Sequence, residues 1–353
     1  MGRSKKDLGQ FYTTECHYIL KDLPGPPDDC KCIIEPFAGK GDLIQYIKTA
    51  GYTYIPIEAY DIDPKYPGVI ERDTFFDKPD YTDAWVITNP PYLARNKSKD
   101  KQIYDTYHSN DLYKCFMRIL IDSECRGGII IIPAGFFLSS RDIDNTLRND
   151  FMEKYTILRI NYFEETVFND TSTTVVAFSF IKSQQINKLQ QVEWVIYPSG
   201  ITKTFEMSCD KNWIIGGEVY QLPTLQKVSI QRHVVGQKLK DNQQQTFMTL
   251  TAIDSGTADG KIKMEYRKDY IYQAKESSRT YATLRITGKT LTEQQQIDLC
   301  RHFNDFIEQK REQTHSLFLP QYRESKQYAR KRIPFELAYR IILYILNNNI
   351  KNT

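Results

Sequence analysis

The sequence predicts an α/β protein: a doubly wound, mostly parallel sheet followed by a smaller α+β domain. Three observations carry this. Short apolar runs alternate with stretches of helical spacing as far as Lys182. A glycine turn, Gly39-Lys40-Gly41, stands between the first apolar run and the first amphipathic helix, which is how such sheets open. After Lys182 the texture changes: residues 184–191 are polar and linker-like, and a region rich in Lys, Gln and short β runs follows. A length of 353 residues agrees with two domains, 1–183 and 184–353.

In chain order, a helix is expected from near Thr14 to Leu20, capped by Thr13 or Thr14 and ended by Pro24-Gly25-Pro26-Pro27. Cys32 to Glu35 reads as a strand and Asp42 to Ala50 as a helix. Pro56 to Asp61 is a second strand, and Arg72 to Phe76 ends a third. Ala84-Trp85-Val86-Ile87 is a buried strand that stops at two prolines. Leu112, Phe116, Ile119 and Leu120 place a helix over Asp111 to Ser123. Gly127 to Pro133 is a strand apolar on both faces. A helix is expected from Ser139 to Phe151, then β runs at Ile157 to Phe163 and Thr173 to Ile181, antiparallel at the end of the sheet. Beyond the linker, Val192 to Pro198 and Thr202 to Glu206 read as short strands. Leu291 to Lys310 and Pro334 to Asn347 read as helices.

Composition excludes several classes. A formal charge of +3 neither demands nor excludes nucleic acid. No apolar run approaches the ~20 residues of a membrane span, and Met1 to Asp7 is polar and basic, so no secretory signal is read. Seven scattered cysteines point to reduced thiols and an intracellular protein. Cys30-Lys31-Cys32 has no second pair at zinc spacing, so no metal site is predicted.

The chemistry centres on Asn89-Pro90-Pro91-Tyr92. The prolines remove two N–H donors and stiffen the loop. It then offers carbonyl oxygens and the Asn89 amide beside an aromatic ring. That set suits a planar group with an –NH2: the amine donates to the Asn89 oxygen and the Pro90 carbonyl, and Tyr92 stacks on the ring. Two acceptors localise the amine lone pair and stabilise charge developing on nitrogen during methyl attack. A plain Pro-Pro turn with Tyr92 as a packing residue is the bland alternative. Upstream, Gly39 and Gly41 allow a ligand to approach backbone at a helix N-terminus. This is neither a dinucleotide fingerprint nor a phosphate loop, and Glu35 at the strand end favours a ligand bearing an ammonium. Asp61 is placed to accept from ribose hydroxyls, Ile62 to pack on adenine, and Asp73 to lie near its amino group. Gly9 to Thr14 is either an ordinary entry to a helix or a lid over a small ligand, held by Phe11 and Tyr12. Phe168 is either a second stacking face or a core residue. Lys97, Lys99 and Lys101 lie in either a solvated loop or a phosphate-contacting one. Arg323, Lys326, Arg330, Lys331 and Arg332, interleaved with tyrosines, read as either a solvated helix face or a phosphate-contacting segment, the second favoured.

Gly9 to Thr14, Glu35 to Asp42, Asp61 to Pro64 and Asn89 to Tyr92 together resemble the S-adenosylmethionine-dependent adenine-N6 DNA methyltransferases. The cofactor turn precedes the Asn89 motif and the long extra region follows it, an order similar to the gamma class. The resemblance implies a Rossmann-like catalytic domain with a C-terminal target-recognition domain. It implies cofactor contacts from Phe11, Tyr12, Thr13, Glu35, Pro36, Gly39, Gly41, Asp61, Ile62, Asp73, Thr74 and Asn89. Catalysis falls on Asn89, Pro90, Pro91 and Tyr92, with Phe168 stacking. Many relatives have Glu where this chain has Asp61, which shortens its reach. The Lys240 to Arg332 region loosely resembles recognition domains of restriction–modification enzymes with short sites, including those of algal viruses. The implied partners are duplex DNA with a short palindromic site and a cognate restriction endonuclease, and the implied state is a monomer. The motif is shared with enzymes that methylate RNA bases or protein glutamine, which remain the alternative.

Overall fold

The computed structural model describes residues 13, 15–168, 173–254, 261–272, 280–322 and 330–351. They divide into two compact units, the first ending at Trp213 and the second beginning at Ile214. The fold is mixed α/β.

The first unit holds a nine-stranded sheet: β1 (Ile33–Glu35), β2 (Ile57–Asp61), β3 (Ile70–Glu71), β4 (Trp85–Thr88), β5 (Gly127–Pro133), β6 (Tyr155–Phe163), β7 (Val175–Lys182), β8 (Leu189–Tyr197) and β9 (Ile201–Ser208). Their order is β3-β2-β1-β4-β5-β7-β6-β8-β9. From β3 to β5 the strands are parallel, and β7 runs antiparallel to both β5 and β6. The central strands β4 and β5 are buried on both faces, as their unbroken apolar runs require. Among the described residues six helices accompany the sheet: α1 (Cys16–Ile19), α2 (Asp42–Thr49), α3 (Gln102–Thr106), α4 (Leu112–Asp122), α5 (Gly135–Leu138) and α6 (Asp142–Lys154).

Three expectations shift. The strands near Val192 and Thr202 do not begin a new domain. β8 lies parallel to β6 and carries β9 as a hairpin, so the first sheet continues to Ser208. An edge strand left at β6 by a boundary at 183 would expose unpaired backbone, and β8 covers it. Helix α6 begins at Asp142 rather than at Ser139, because Ser139 is extended and spends its hydroxyl on the Asp144 carboxylate. β3 ends at Glu71, so Arg72 to Phe76 forms the loop that follows it.

The second unit is α+β. Strands β10 (Ser229–Arg232), β11 (Gln243–Thr251), β12 (Lys263–Tyr266) and β13 (Tyr281–Thr287) form an antiparallel sheet of order β10-β13-β11-β12. One face buries Ile230, Met248, Leu250, Leu284 and Ile286 in a core with residues of α7 (Glu293–Thr314) and α8 (Phe335–Lys351). Thr292 caps α7 through a reciprocal capping box with Gln295. A short pair joins β14 (Gln321–Tyr322) to β15 (Arg330–Lys331).

Candidate active site

β1 and β4 are neighbours, and the sheet order runs outward in opposite directions from them. That makes the crevice at their carboxyl ends the switch point where doubly wound sheets bind ligands. The register pairs Ile33 with Trp85 and Ile34 with Val86, so the ends of both strands come level. Glu35 closes β1, and Asn89 follows the last residue of β4, Thr88. The two ends are bonded: the Thr88 hydroxyl donates to Glu35 Oε1 at 2.6 Å. The Phe37 amide donates to the same oxygen at 3.0 Å. Glu35 Oε2 is buried with no hydrogen-bond partner. Burial outweighs the two donors and pushes the Glu35 carboxyl up to about 8, with Asp61 adding to the rise.

The glycine turn adopts the conformation that only glycine takes readily, with φ of 53° at Gly39 and 82° at Gly41. Gly41 is the N-cap of α2, and a Cβ there would sit 2.4 Å from the Tyr66 ring. Asp61 braces this turn. Its Oδ2 accepts from the Gly39 amide at 2.8 Å and its Oδ1 from the Asp63 amide at 2.8 Å. The carboxylate read as a ribose acceptor is therefore 2% exposed and first of all a clamp on backbone. Pro36 is buried, and its carbonyl accepts from the Thr74 hydroxyl at 2.9 Å, which ties the loop after β3 to the glycine turn. Asp73 Oδ1 accepts from the Phe75 amide at 3.1 Å. Ile62 is half-buried. The structure thus brings Glu35, Pro36, Gly39, Gly41, Asp61, Asp73 and Thr74 to one crevice edge. Phe11 and Tyr12 lie outside the described residues.

The Asn89 loop is held from both sides. Asn89 Nδ2 donates to the Thr13 hydroxyl at 3.0 Å, and Asn89 Oδ1 lies 2.5 Å from the Tyr92 hydroxyl. The Tyr92 hydroxyl is also 2.8 Å from the Ile131 carbonyl of β5. One phenolic hydrogen serves two acceptors here. Tyr92 was expected to present its ring as a stacking face. Instead the ring is buried, edge-on to Tyr113 at 6.1 Å, because a buried phenol seeks carbonyl partners and both lie inward. Stacking on a substrate requires it to turn out. Phe168 is 3% exposed, so it too is packed inward. Tyr92→Phe is expected to cost about 1 kcal/mol of stability, because Asn89 Oδ1 loses the tyrosine hydroxyl as a partner. Thermal melting beside the wild type checks this; an unchanged melting temperature would show that the bond contributes nothing to the fold.

The basic residues divide. Lys97 and Lys99 are exposed on the loop after the motif. Lys331, expected at the surface, is 4% exposed, and its carbonyl accepts from the Asp254 amide at 3.0 Å. Its place in the β14–β15 pair draws it inward and removes it from the phosphate-reaching set. Arg330 Nε donates to the Asp254 carbonyl at 2.5 Å, and Arg332 bridges Ile253 through backbone. Arg323 and Lys326 lie outside the described residues. Sequence reasoning missed Thr88, Tyr113 and the Ile131 carbonyl. Only Thr88 carried a signal, as the hydroxyl residue just before Asn89. Among the described residues no cluster of His, Cys, Asp and Glu could hold a metal ion, and no helix is long and apolar enough to cross a membrane.

Thr88, Asn89 and Tyr92 thus sit in a fold with an acidic strand end and a glycine turn beside them. Residues 80–168 match the Eco57I restriction-modification methylase family. That stretch contains β4, the Asn89 loop and Phe168. The chain is 31% identical over 210 residues to the type II methyltransferase M.HincII of Haemophilus influenzae, covering 54% of this chain and 40% of that protein. It is 31% identical to M.HindII of the same species over 54% of this chain and 39% of that protein. The chain therefore spans about 40% of the length of these curated relatives. Among solved structures, a modification subunit of a putative type I restriction enzyme from Vibrio vulnificus aligns with a TM-score of 0.41 at 13% identity, over 56% of this chain and 49% of that one. Over residues 80–168, then, the chain is similar to restriction-modification methylases.

Proposed function

We propose that this protein is a site-specific DNA methyltransferase that transfers a methyl group to the N6 amine of adenine. The observation that carries the reading is the Thr88–Glu35 bond. It joins an acidic, glycine-turned ligand site to an Asn-Pro-Pro-Tyr loop at the switch point of the sheet. The similarity of residues 80–168 to restriction-modification methylases supports it.

The donor set fits S-adenosylmethionine. The orphaned Glu35 Oε2 is a buried acceptor suited to an ammonium, and the left-handed Gly39–Gly41 turn lets backbone approach a carboxylate. Glu35, Gly39, Gly41, Asp61, Ile62, Asp73 and Thr74 would line its site. When bound, the cofactor supplies an electrophilic methyl on sulfonium. The chain does the rest. Asn89 Oδ1 and the Pro90 carbonyl accept from the target amine and localise its lone pair, and Pro91 stiffens the loop. Because Asn89 Oδ1 is in contact with Tyr92, the tyrosine turns toward the substrate ring as the amine arrives. A base inside the duplex cannot reach this crevice, so it is flipped out, at a cost of a few kcal/mol that stacking on Tyr92, and on Phe168 once that ring leaves its packed position, offsets. The attacking pair is on nitrogen, so no tuned general base is needed, and the proton leaves to water.

The motif order supports a gamma-class arrangement, with the first unit catalytic and the second reading a short palindromic site. A monomer acting on each strand in turn, and a cognate restriction endonuclease protected against, complete the proposal. The test is methyl transfer from labelled S-adenosylmethionine to unmethylated duplex DNA with the product nucleosides separated. Label in N6-methyladenine is the expected result. Label in N4-methylcytosine would correct the base. Label only in RNA or protein would overturn DNA as the substrate.

A further inference from the structure

We propose that an open strip of the second unit's sheet, centred on Arg285 between Gln231 and Gln245, reads base edges in the major groove of the target duplex, with Lys227, Lys240 and Lys289 on its phosphates. This rests on the DNA substrate proposed above.

β10 is the edge strand and pairs with β13, which pairs with β11. The register sets Gln231, Arg285 and Gln245 in one row across the three strands, and Ser229, Thr287 and Gln243 in the next. Strand alternation sends Ile230, Leu284 and Ile286 to the opposite face, into the core. The row is preorganised: Arg285 Nη2 donates to Gln231 Oε1 at 2.6 Å, which fixes the guanidinium beside a carboxamide. Behind it, Gln243 Nε2 donates to the Thr287 hydroxyl at 3.3 Å. The middle of the same face is closed, since the Tyr272 amide donates to the Thr283 hydroxyl at 2.8 Å and both Thr249 and Thr283 are buried. The edge strip stays open, with Ser229 and Gln231 exposed.

Charge says what covers it. The whole chain carries 47 Lys and Arg against 44 Asp and Glu. Residues 225–245 and 281–290 together carry six Lys and Arg against Asp241 alone. The turns bearing Lys227, Lys240 and Lys289 meet at one end of the strip. The Gly288 amide donates to the Asn242 carbonyl at 2.9 Å, and a Cβ on Gly288 would lie 2.0 Å from the Lys227 carbonyl. Cations at the end of a row of planar polar side chains match phosphates flanking base edges. Arginine pairs with guanine O6 and N7, and glutamine with adenine N6 and N7. The major groove of B-DNA admits a β-ribbon. The deep, narrow major groove of A-form RNA does not admit side chains.

The experiment uses the full chain, a randomised duplex library and sequencing of methylated positions, with DNA binding measured against salt. Arg285→Ala is expected to lower transfer at the preferred site roughly ten- to hundredfold and to relax preference at one base pair. Replacing Lys227, Lys240 and Lys289 together by Gln should weaken binding to every sequence alike and lower the log–log salt slope by about 3. Cofactor affinity and melting temperature should stay at wild-type values. Gln231→Ala, at an exposed position, is the second variant should Arg285→Ala fold poorly, and a shifted base preference is expected there too. If the wild type methylates DNA and both variants keep its rate and base preference, this strip is not the reader and the substrate assignment stands. If the wild type methylates no DNA, both proposals fall.

Discussion

Asn89→Ala is expected to cut methyl transfer by at least about 10²–10³-fold while S-adenosylmethionine affinity stays within a few-fold of wild type. The magnitude is that of removing one preorganised group aimed at developing charge. Asn89 lies 9% exposed at the end of β4, and both of its amide atoms are held, by Thr13 on one side and Tyr92 on the other. Such double anchoring fixes which atom faces the crevice before substrate arrives. Alanine removes the acceptor and leaves the Tyr92 hydroxyl its second partner, the Ile131 carbonyl, so the fold loses little. Single-turnover transfer measured beside equilibrium cofactor binding separates the two effects. A variant that transfers near the wild-type rate would show that the amide is not the amine acceptor.

The second large effect belongs to Glu35. Its carboxyl is raised from 4.5 to about 8 by burial, so at neutral pH the ligand-free protein holds it protonated. For folding, the sign follows from a raised carboxyl: the native state binds the proton more tightly than the unfolded chain. This group's contribution to stability is complete below the unfolded value and is lost as pH rises through about 8. For cofactor binding the sign is opposite. An ammonium beside the orphaned Oε2 needs the ionised form, so affinity should rise with pH toward about 8, by up to about tenfold per unit. Binding at pH 7 should release a proton, visible in calorimetry as a heat that varies with the buffer's ionisation enthalpy. Glu35→Gln should flatten the pH profile and lower affinity roughly ten- to hundredfold, the worth of a charge-assisted hydrogen bond. A pH-independent affinity in the wild type would remove Glu35 from the ammonium site.

Much of this protein is legible one residue at a time. The apolar runs that became β4 and β5, the glycines of the turn and the Pro-Pro stop after Asn89 are local facts, dictated by chain stiffness, φ and burial. Local rules place elements and predict the loop chemistry without knowing what lies across from them. Helix α7, read over Leu291 to Lys310, runs from Glu293 to Thr314 with a Thr292–Gln295 box at its start. The membership of β8 and β9 in the first sheet was not local. Both read as short strands in any context, and the unpaired edge of β6 decided where they belong. The same holds at the site. Asp61 was visible as an acidic strand end, but only the fold shows it clamping the Gly39 amide, since that bond spans two strands. Tyr92 was visible as an aromatic beside an amide, but its inward turn depends on the Ile131 carbonyl of a neighbouring strand. Lys331 was visible as one cation in a basic run, but pairing in a short sheet buried it. In each case the sequence determined which groups are present and the tertiary structure decided which atoms they face. Hydrogen bonds between strands depend on register, and register is settled by burying one face of a whole sheet at once.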